Sequence, residues 1–255
     1  MAASRKDRRA QERRETKVAR RALPIVQDTP FRAPIRMRFA MQLADGAQPR
    51  DVLAGAQREA DAFGARTFAA GPAPACASGC SHCCEHLPVG LSATEAGVLA
   101  AHLQQLPEPE RTHRRGRIAA NAARAREAAP GMYPRMTCAL LSEDDRRCSV
   151  YEVRPFVCRR AHSFDVERCR RAAAGEAVDI LVDARVVAVY SQISTAFREA
   201  SVGSGGDAGS YELHQAVDIL LEDPQGDLSP AREHSDPAKI RATAQALNAA
   251  LRPRR

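Results

Sequence analysis

Eight cysteines confined to residues 76–169 constrain this chain more than any other feature. Four of them fall within nine residues, Cys76-Ala-Ser-Gly-Cys80-Ser-His-Cys83-Cys84. Cys138, Cys148, Cys158 and Cys169 follow, spaced about ten apart. In a reducing compartment, thiols this concentrated are expected as ligands rather than disulfides. Thiolate is a soft donor that selects zinc, copper(I) or iron–sulfur. The rest of the composition points the same way. Aromatic residues make up 4% of 255, tryptophan is absent, and much of the apolar content is alanine. Such a core is thin, and a metal clamp adds binding energy to folding.

The formal charge of +7 belongs to the ends of the chain. Nine Lys/Arg in residues 1–21 face only Asp7, Glu12 and Glu15, and Arg252, Arg254 and Arg255 crowd the other end. What lies between is slightly acidic, whereas a nucleic-acid-binding domain carries its charge on a folded face. Nucleic acid is therefore expected to be touched only non-specifically, through the basic arm, and an acidic protein partner is the other use for that arm. Ala22-Leu23-Pro24-Ile25-Val26 is too short and Pro-broken for a signal h-region. No stretch approaches the roughly 20 apolar residues of a membrane span. A cytoplasmic location is the expectation.

The fold expected is mainly α, a small irregular helical domain stapled by a cysteine-rich metal site with little or no sheet. Residues 1–22 read as a disordered basic arm and 23–75 as a helical lead-in, with a short helix near Met37–Leu43 and a longer one from Pro49 that Gly64 ends. Residues 76–200 read as the cysteine-cluster domain, 201–210 as a flexible linker and 211–255 as a helical tail. Ser92-Ala-Thr-Glu95 is a capping box opening a helix to about Gln105. Pro107 and Pro109 break it before an Arg- and Ala-rich helix over 110–128. Val150 to Val153 allow a short extended piece, and Pro155 suits the first position of a helical turn holding Cys158. Val178 to Phe197 carry an apolar stripe that predicts a helix over 176–200, and 211–222 and 236–250 predict two more. Strands do not alternate with helices, so neither a Rossmann fold nor a barrel is supported.

Cys80-x-x-Cys83 is the tight chelating unit, and four cysteinates close a zinc site or hold an iron–sulfur cluster. Neighbouring side chains point apart in a helix or strand. Cys83 and Cys84 are thus expected to divide between two metals, or between a metal and its surroundings. Arg154 and Arg159, with Arg160, flank Cys158 and could balance a negative thiolate site, or could be plain surface charge. His82, His86 and His162 stand near ligands in sequence, but exposed neighbours of a cysteine loop is the plainer reading. Cys76-x3-Cys80-x2-Cys83 has the spacing of radical S-adenosylmethionine enzymes, yet no β/α barrel follows it. No hydrolase constellation of nucleophile, base and orienting acid is visible.

Taken together, these motifs resemble the CxxCxxCC cysteine-cluster family of zinc- or iron-chelating domains. The resemblance is carried by Cys-x3-Cys-x2-Cys-Cys, Leu91-Ser-Ala-Thr-Glu95, Cys138-Ala-Leu-Leu, and Cys148-Ser-Val-Tyr151-Glu152-Val-Arg154-Pro155-Phe-Val-Cys158-Arg159. It covers roughly residues 76–170. It implies a bacterial, cytosolic metal-binding domain with Cys80, Cys83, Cys84, Cys148 and Cys158 at the heart of the site. Cys76 matches with a spacer one residue longer than the family's name states. Cys138 is followed by Ala-Leu-Leu where Pro-Phe-Leu is usual, and Cys169 corresponds least. The family is also similar to the cysteine-rich part of flagellin lysine methylases, which implies an iron–sulfur protein-modifying enzyme as a second reading.

Overall fold

The computed structural model describes residues 31–128 and 133–232. The basic arm over 1–22 and the helix expected over 236–250 lie outside the described residues. Eight α-helices and a two-stranded sheet make up the described part, mainly α as expected.

Two small helical cores carry the structure. The first joins α1 (Arg32–Ala44), α2 (Pro49–Ala69) and α7 (Ala184–Val202). Ile35, Phe39 and Leu43 recur every four residues and so share one buried face of α1. Val52, Leu53, Ala56 and Ala60 do the same for α2. Phe39 packs edge-on against Phe197 of α7. Pro49 opens α2 at a position where its missing N–H costs nothing. The second core joins α3 (Ala93–Gln104), α4 (Glu110–Glu127) and α8 (Leu213–Glu222). Leu99, Leu103, Ile118, Leu213, Ala216 and Val217 form its centre. The strands β1 (Gly90–Leu91) and β2 (Tyr211–Glu212) pair antiparallel and bring α3 and α8 to a common starting edge.

Between the cores runs the cysteine-bearing chain, with two short helices, α5 (Phe156–Arg159) and α6 (Val166–Ala173). The α5 turn belongs to both sides. Phe156 is buried in the first core, whereas Val157 and Cys158 pack against the second.

Glu95 holds this junction. The capping box forms as read: Glu95 N–H donates to Ser92 Oγ (3.2 Å) and Ser92 N–H donates to Glu95 Oε2 (2.8 Å). The other carboxylate oxygen does something that no local pattern announces. Oε1 accepts the Phe156 N–H, 2.8 Å away and 61 residues on. One buried carboxylate thus caps α3 and also satisfies the first amide of α5.

Several boundaries differ from the sequence reading, each for a visible reason. Gly64 does not end α2; it is buried inside it, where an added Cβ would lie 3.4 Å from the Tyr190 hydroxyl. The glycine there serves close approach of α7. The helix expected over 176–200 starts at Ala184, because the Asp183 carboxylate caps the amides of Arg185 and Val186. Residues 176–183 remain irregular. Tyr151–Val153 form a 3-10 turn rather than an extended piece. Pro155 is the cap, and Phe156 the first residue, of the turn that holds Cys158. Tyr211 and Glu212 are strand residues ahead of α8. Among the described residues no helix is long and apolar enough to cross a membrane.

Replacing Glu95 by alanine leaves the Ser92 and Phe156 amides unpaired in a buried place. The expected loss is on the order of 3 kcal/mol, from two orphaned buried donors. Urea denaturation of Glu95→Ala against the native chain measures it; a change below about 0.5 kcal/mol contradicts this account of the junction.

Candidate metal centre

Each cysteine is positioned by short, irregular backbone rather than by long helices. Cys83 and Cys84 lie in a 3-10 turn, His82–Glu85, entered by Ser81. Gly79, in the left-handed region at φ +85°, makes the bend before Cys80 possible. Ser81 and Glu85 lock the turn by a 3.0 Å hydrogen bond, and Arg146 reaches across to both. Cys138 and Cys148 flank a hairpin-like loop. Leu141 bridges Cys148, Ser149 N–H donates to Leu140 O and Ser142 N–H donates to Arg147 O. Cys158 sits in α5, and Cys169 lies in α6, which packs on the 3-10 turn. The two sequence-distant segments are joined directly, since Cys138 N–H donates to Cys84 O at 2.7 Å.

The thiols fall into two adjoining groups. Cys83, Cys84, Cys138, Cys148 and Cys158 are near enough for their charges to act on one another. Cys76, Cys80 and Cys169 form a second set that shares Cys83 with the first. All eight are free thiols. Burial holds Cys158 well above the ordinary thiol range, and neighbouring thiols add to the shift. Burial likewise raises Cys148 and Cys76.

Cys83 and Cys84 behave as a pair. The Cys84 thiol hydrogen-bonds the Cys83 sulfur, which lowers Cys83 to about 7 and raises Cys84. The hydrogen bond thus favours ionisation of Cys83 over Cys84. Their separation is 4.0 Å, against about 3.8 Å expected between two thiolates at 2.3 Å from one tetrahedral zinc. The expectation that adjacent side chains diverge does not hold here, because the tight 3-10 turn lets both sulfurs converge.

Arg154 and Arg159 go different ways. Arg154 stacks on the Tyr151 ring at 3.6 Å, and its charge favours thiolate at Cys83, Cys148 and Cys158. Arg159 is engaged by Asp61 (2.7 Å) and by the carbonyls of Arg154 and Glu152. Asp61 also accepts the Tyr190 hydroxyl at 2.7 Å, so Arg159 fastens α5 to α2 and α7. His162 spends both ring nitrogens on backbone, at Arg160 O and Asp183 N–H. His86 Nδ1 lies 2.9 Å from His82 O.

Sequence reasoning missed His214 and Glu212. His214 is 2% exposed and Glu212 5%. His214 Nδ1–H donates to Glu212 Oε1 at 2.9 Å, and its Nε2 edge meets the Ala139 N–H (3.2 Å) and Asn121 Nδ2 (3.3 Å), near enough to Cys138 for that thiol to act on the ring. Burial opposes charging of this ring, but Cys138 and Glu212 outweigh it and lift the imidazole to about 9. That lift depends on a Cys138 thiolate. Opposite a thiol, the Ala139 N–H, fixed by the backbone 3.2 Å from Nε2, selects the neutral ring with Nε2 as acceptor. In both forms the carboxylate orients the ring, the arrangement that supports metal-site ligands in many proteins. Glu212 additionally accepts the Tyr133 hydroxyl and caps α8. The one sequence signal was a Glu-x-His in a segment otherwise free of thiols, too short to read alone.

Among the described residues, no three His, Cys, Asp or Glu side chains are already gathered into a coordination geometry. The donor chemistry nevertheless fits a thiophilic metal. Five thiols lie near enough to act on one another electrostatically, and the Arg154 charge favours thiolate at three of them. The fold and this donor set define a helical cysteine-cluster protein. Residues 75–175 match the model of the family CxxCxxCC, described as "Putative zinc- or iron-chelating domain". No curated protein and no solved structure matches the chain.

Substituting His214→Gln removes the oriented ring while keeping a polar side chain of similar reach. Metal affinity, read by competition with a chromogenic chelator, is expected to fall about 10- to 100-fold. Unchanged affinity would show that His214 serves packing alone.

Proposed function

We propose that this chain is a cytosolic metal-binding protein in which zinc or iron staples the cysteine-bearing segments together, in a structural or accessory role. The residues that would hold it are Cys83, Cys84, Cys138, Cys148 and Cys158, with Cys76, Cys80 and Cys169 as an adjoining set able to complete a second site. One observation supports this reading: the five thiols are near enough for their charges to act on one another, so a metal bound among them would cross-link segments 54 or more residues apart. Binding energy then becomes folding energy. Bound there, zinc supplies a redox-inert cross-link, and an iron–sulfur cluster supplies electron transfer. Arg154 would offset the negative charge of the thiolates, and His214 would orient Cys138.

An iron–sulfur protein-modifying enzyme, as in flagellin lysine methylation, is the second reading. It rests on the family resemblance and on the number of thiols, which exceeds what one zinc needs. A basic arm that recruits an acidic protein partner concerns residues outside those described.

Anaerobic purification of the full chain, followed by elemental analysis and a visible spectrum, separates these readings. We expect about one to two metal equivalents per chain, four thiolates closing each site. A colourless zinc protein supports the structural role, and visible iron–sulfide absorption supports the enzyme. Cys84→Ser and Cys158→Ser should each lose metal and melt at lower temperature. Full metal occupancy in both variants, or a native chain that folds stably without metal, overturns the assignment.

A further inference from the structure

Beside the cysteine cluster, the start of α3, the α5 turn and the outer face of α7 enclose an open cavity of about 300 Å³. Its walls are unusually cationic and hydroxylated. Ser191, Ser194, Thr195 and Arg198 recur at i, i+3, i+4 and i+7 along α7, so they form one stripe facing the cavity. Arg160, just beyond Cys158, enters from the opposite side and donates to Ser191 Oγ at 2.8 Å.

No carboxylate among the described residues pairs with these cations. Neither Arg160 nor Arg198 forms an ion pair among the described residues, and the buried Nε of Arg198 has no hydrogen-bond partner. Glu199, next in the chain, is spent on Arg32 and Arg36. Glu95 is the one carboxylate lining the cavity. Its oxygens are already taken by the Phe156 and Ser92 amides and the Ser92 hydroxyl. The hydroxyls of Ser194 and Thr195 are engaged by no group among the described residues. Guanidinium stays charged at any physiological pH, and holding it part-buried and unpaired costs free energy. Two guanidiniums and two unused hydroxyls around a cavity of this size are complementary to an anion with several acceptor oxygens.

We propose that this cavity is a binding site for a small phosphate-type oxyanion, held by Arg160 and Arg198 and by the hydroxyls of Ser194 and Thr195. The oxyanion can be free phosphate or the phosphoryl group of a small metabolite. The site is separate from the thiols but shares the α5 turn with them. It does not rest on the metal reading, and it can fail or stand independently of it.

Calorimetric titration of the full chain with inorganic phosphate, and in a second arm with glycerol 3-phosphate, tests the proposal. Saturable binding is expected, with a rise in melting temperature as ligand is added. Tighter binding of the monoester identifies a phosphorylated metabolite as the occupant, and binding of phosphate alone identifies the free ion. Arg198→Leu should weaken binding about 10- to 100-fold, the loss of a charge-assisted pair. In phosphate-free buffer the same variant should melt no lower than the native chain, because it removes an unpaired cation. Arg170→Leu, which removes an exposed arginine paired with Glu167, should bind phosphate as the native chain does. The proposal is overturned if neither ligand binds at millimolar concentration. It is equally overturned if Arg170→Leu weakens binding as much as Arg198→Leu.

Discussion

A single buried carboxylate connects the parts of this protein. Glu95 accepts hydrogen bonds from its own helix cap and from the first amide of the turn that carries Cys158. Hydrogen bonds to an ionised acceptor are the strong ones, and burial makes an unmade one expensive. Because both oxygens are committed, Cys158 is held in fixed relation to α3. Through α3 it is held to the second core, while Phe156 anchors the same turn in the first. Asp61 repeats the device from the other side, gathering Arg159 and Tyr190. The thin, alanine-rich cores are thus supplemented by charged groups that each serve two elements.

The thiol cluster sits where these ties converge. Its backbone is a 3-10 turn, a hairpin-like loop and a four-residue helix, none of which is stable alone. Each depends on a specific polar contact: Arg146 for the first turn, the Leu140–Ser149 backbone pairs for the loop, Glu95 for the helix. His214 and Glu212 extend the support to α8, linking Cys138 to the second core. Chelation by such segments would be sensitive to the surrounding fold, so metal binding and folding would reinforce each other.

Much of this was legible locally. The capping box at Ser92 and Glu95, the breaks at Pro107 and Pro109 and the mainly helical character follow from patterns spanning a few residues, and the structure has them. Errors arose where a residue's role is set by distant neighbours. Gly64 reads as a helix end because glycine usually is one, but here it admits Tyr190 of α7. Residues 176–183 carry apolar side chains at helical spacing, yet the helix begins only where Asp183 can cap it. Cys83 and Cys84 were expected to point apart, which holds for regular helix or strand and not for a 3-10 turn.

The sequence by itself determined the donor inventory, the helical class and the caps that start individual helices. These depend on residue chemistry and short-range spacing, which a linear chain displays directly. Tertiary structure decided which thiols lie near one another, that Arg154 lies near them while Arg159 pairs with Asp61, and that His214 comes close to Cys138 from 76 residues away. It also decided that four polar residues of α7 face a cavity with Arg160 rather than open solvent. The reason is physical. The energy of a buried charge or hydrogen bond depends on what surrounds it, and those surroundings are assembled from segments that only folding brings together.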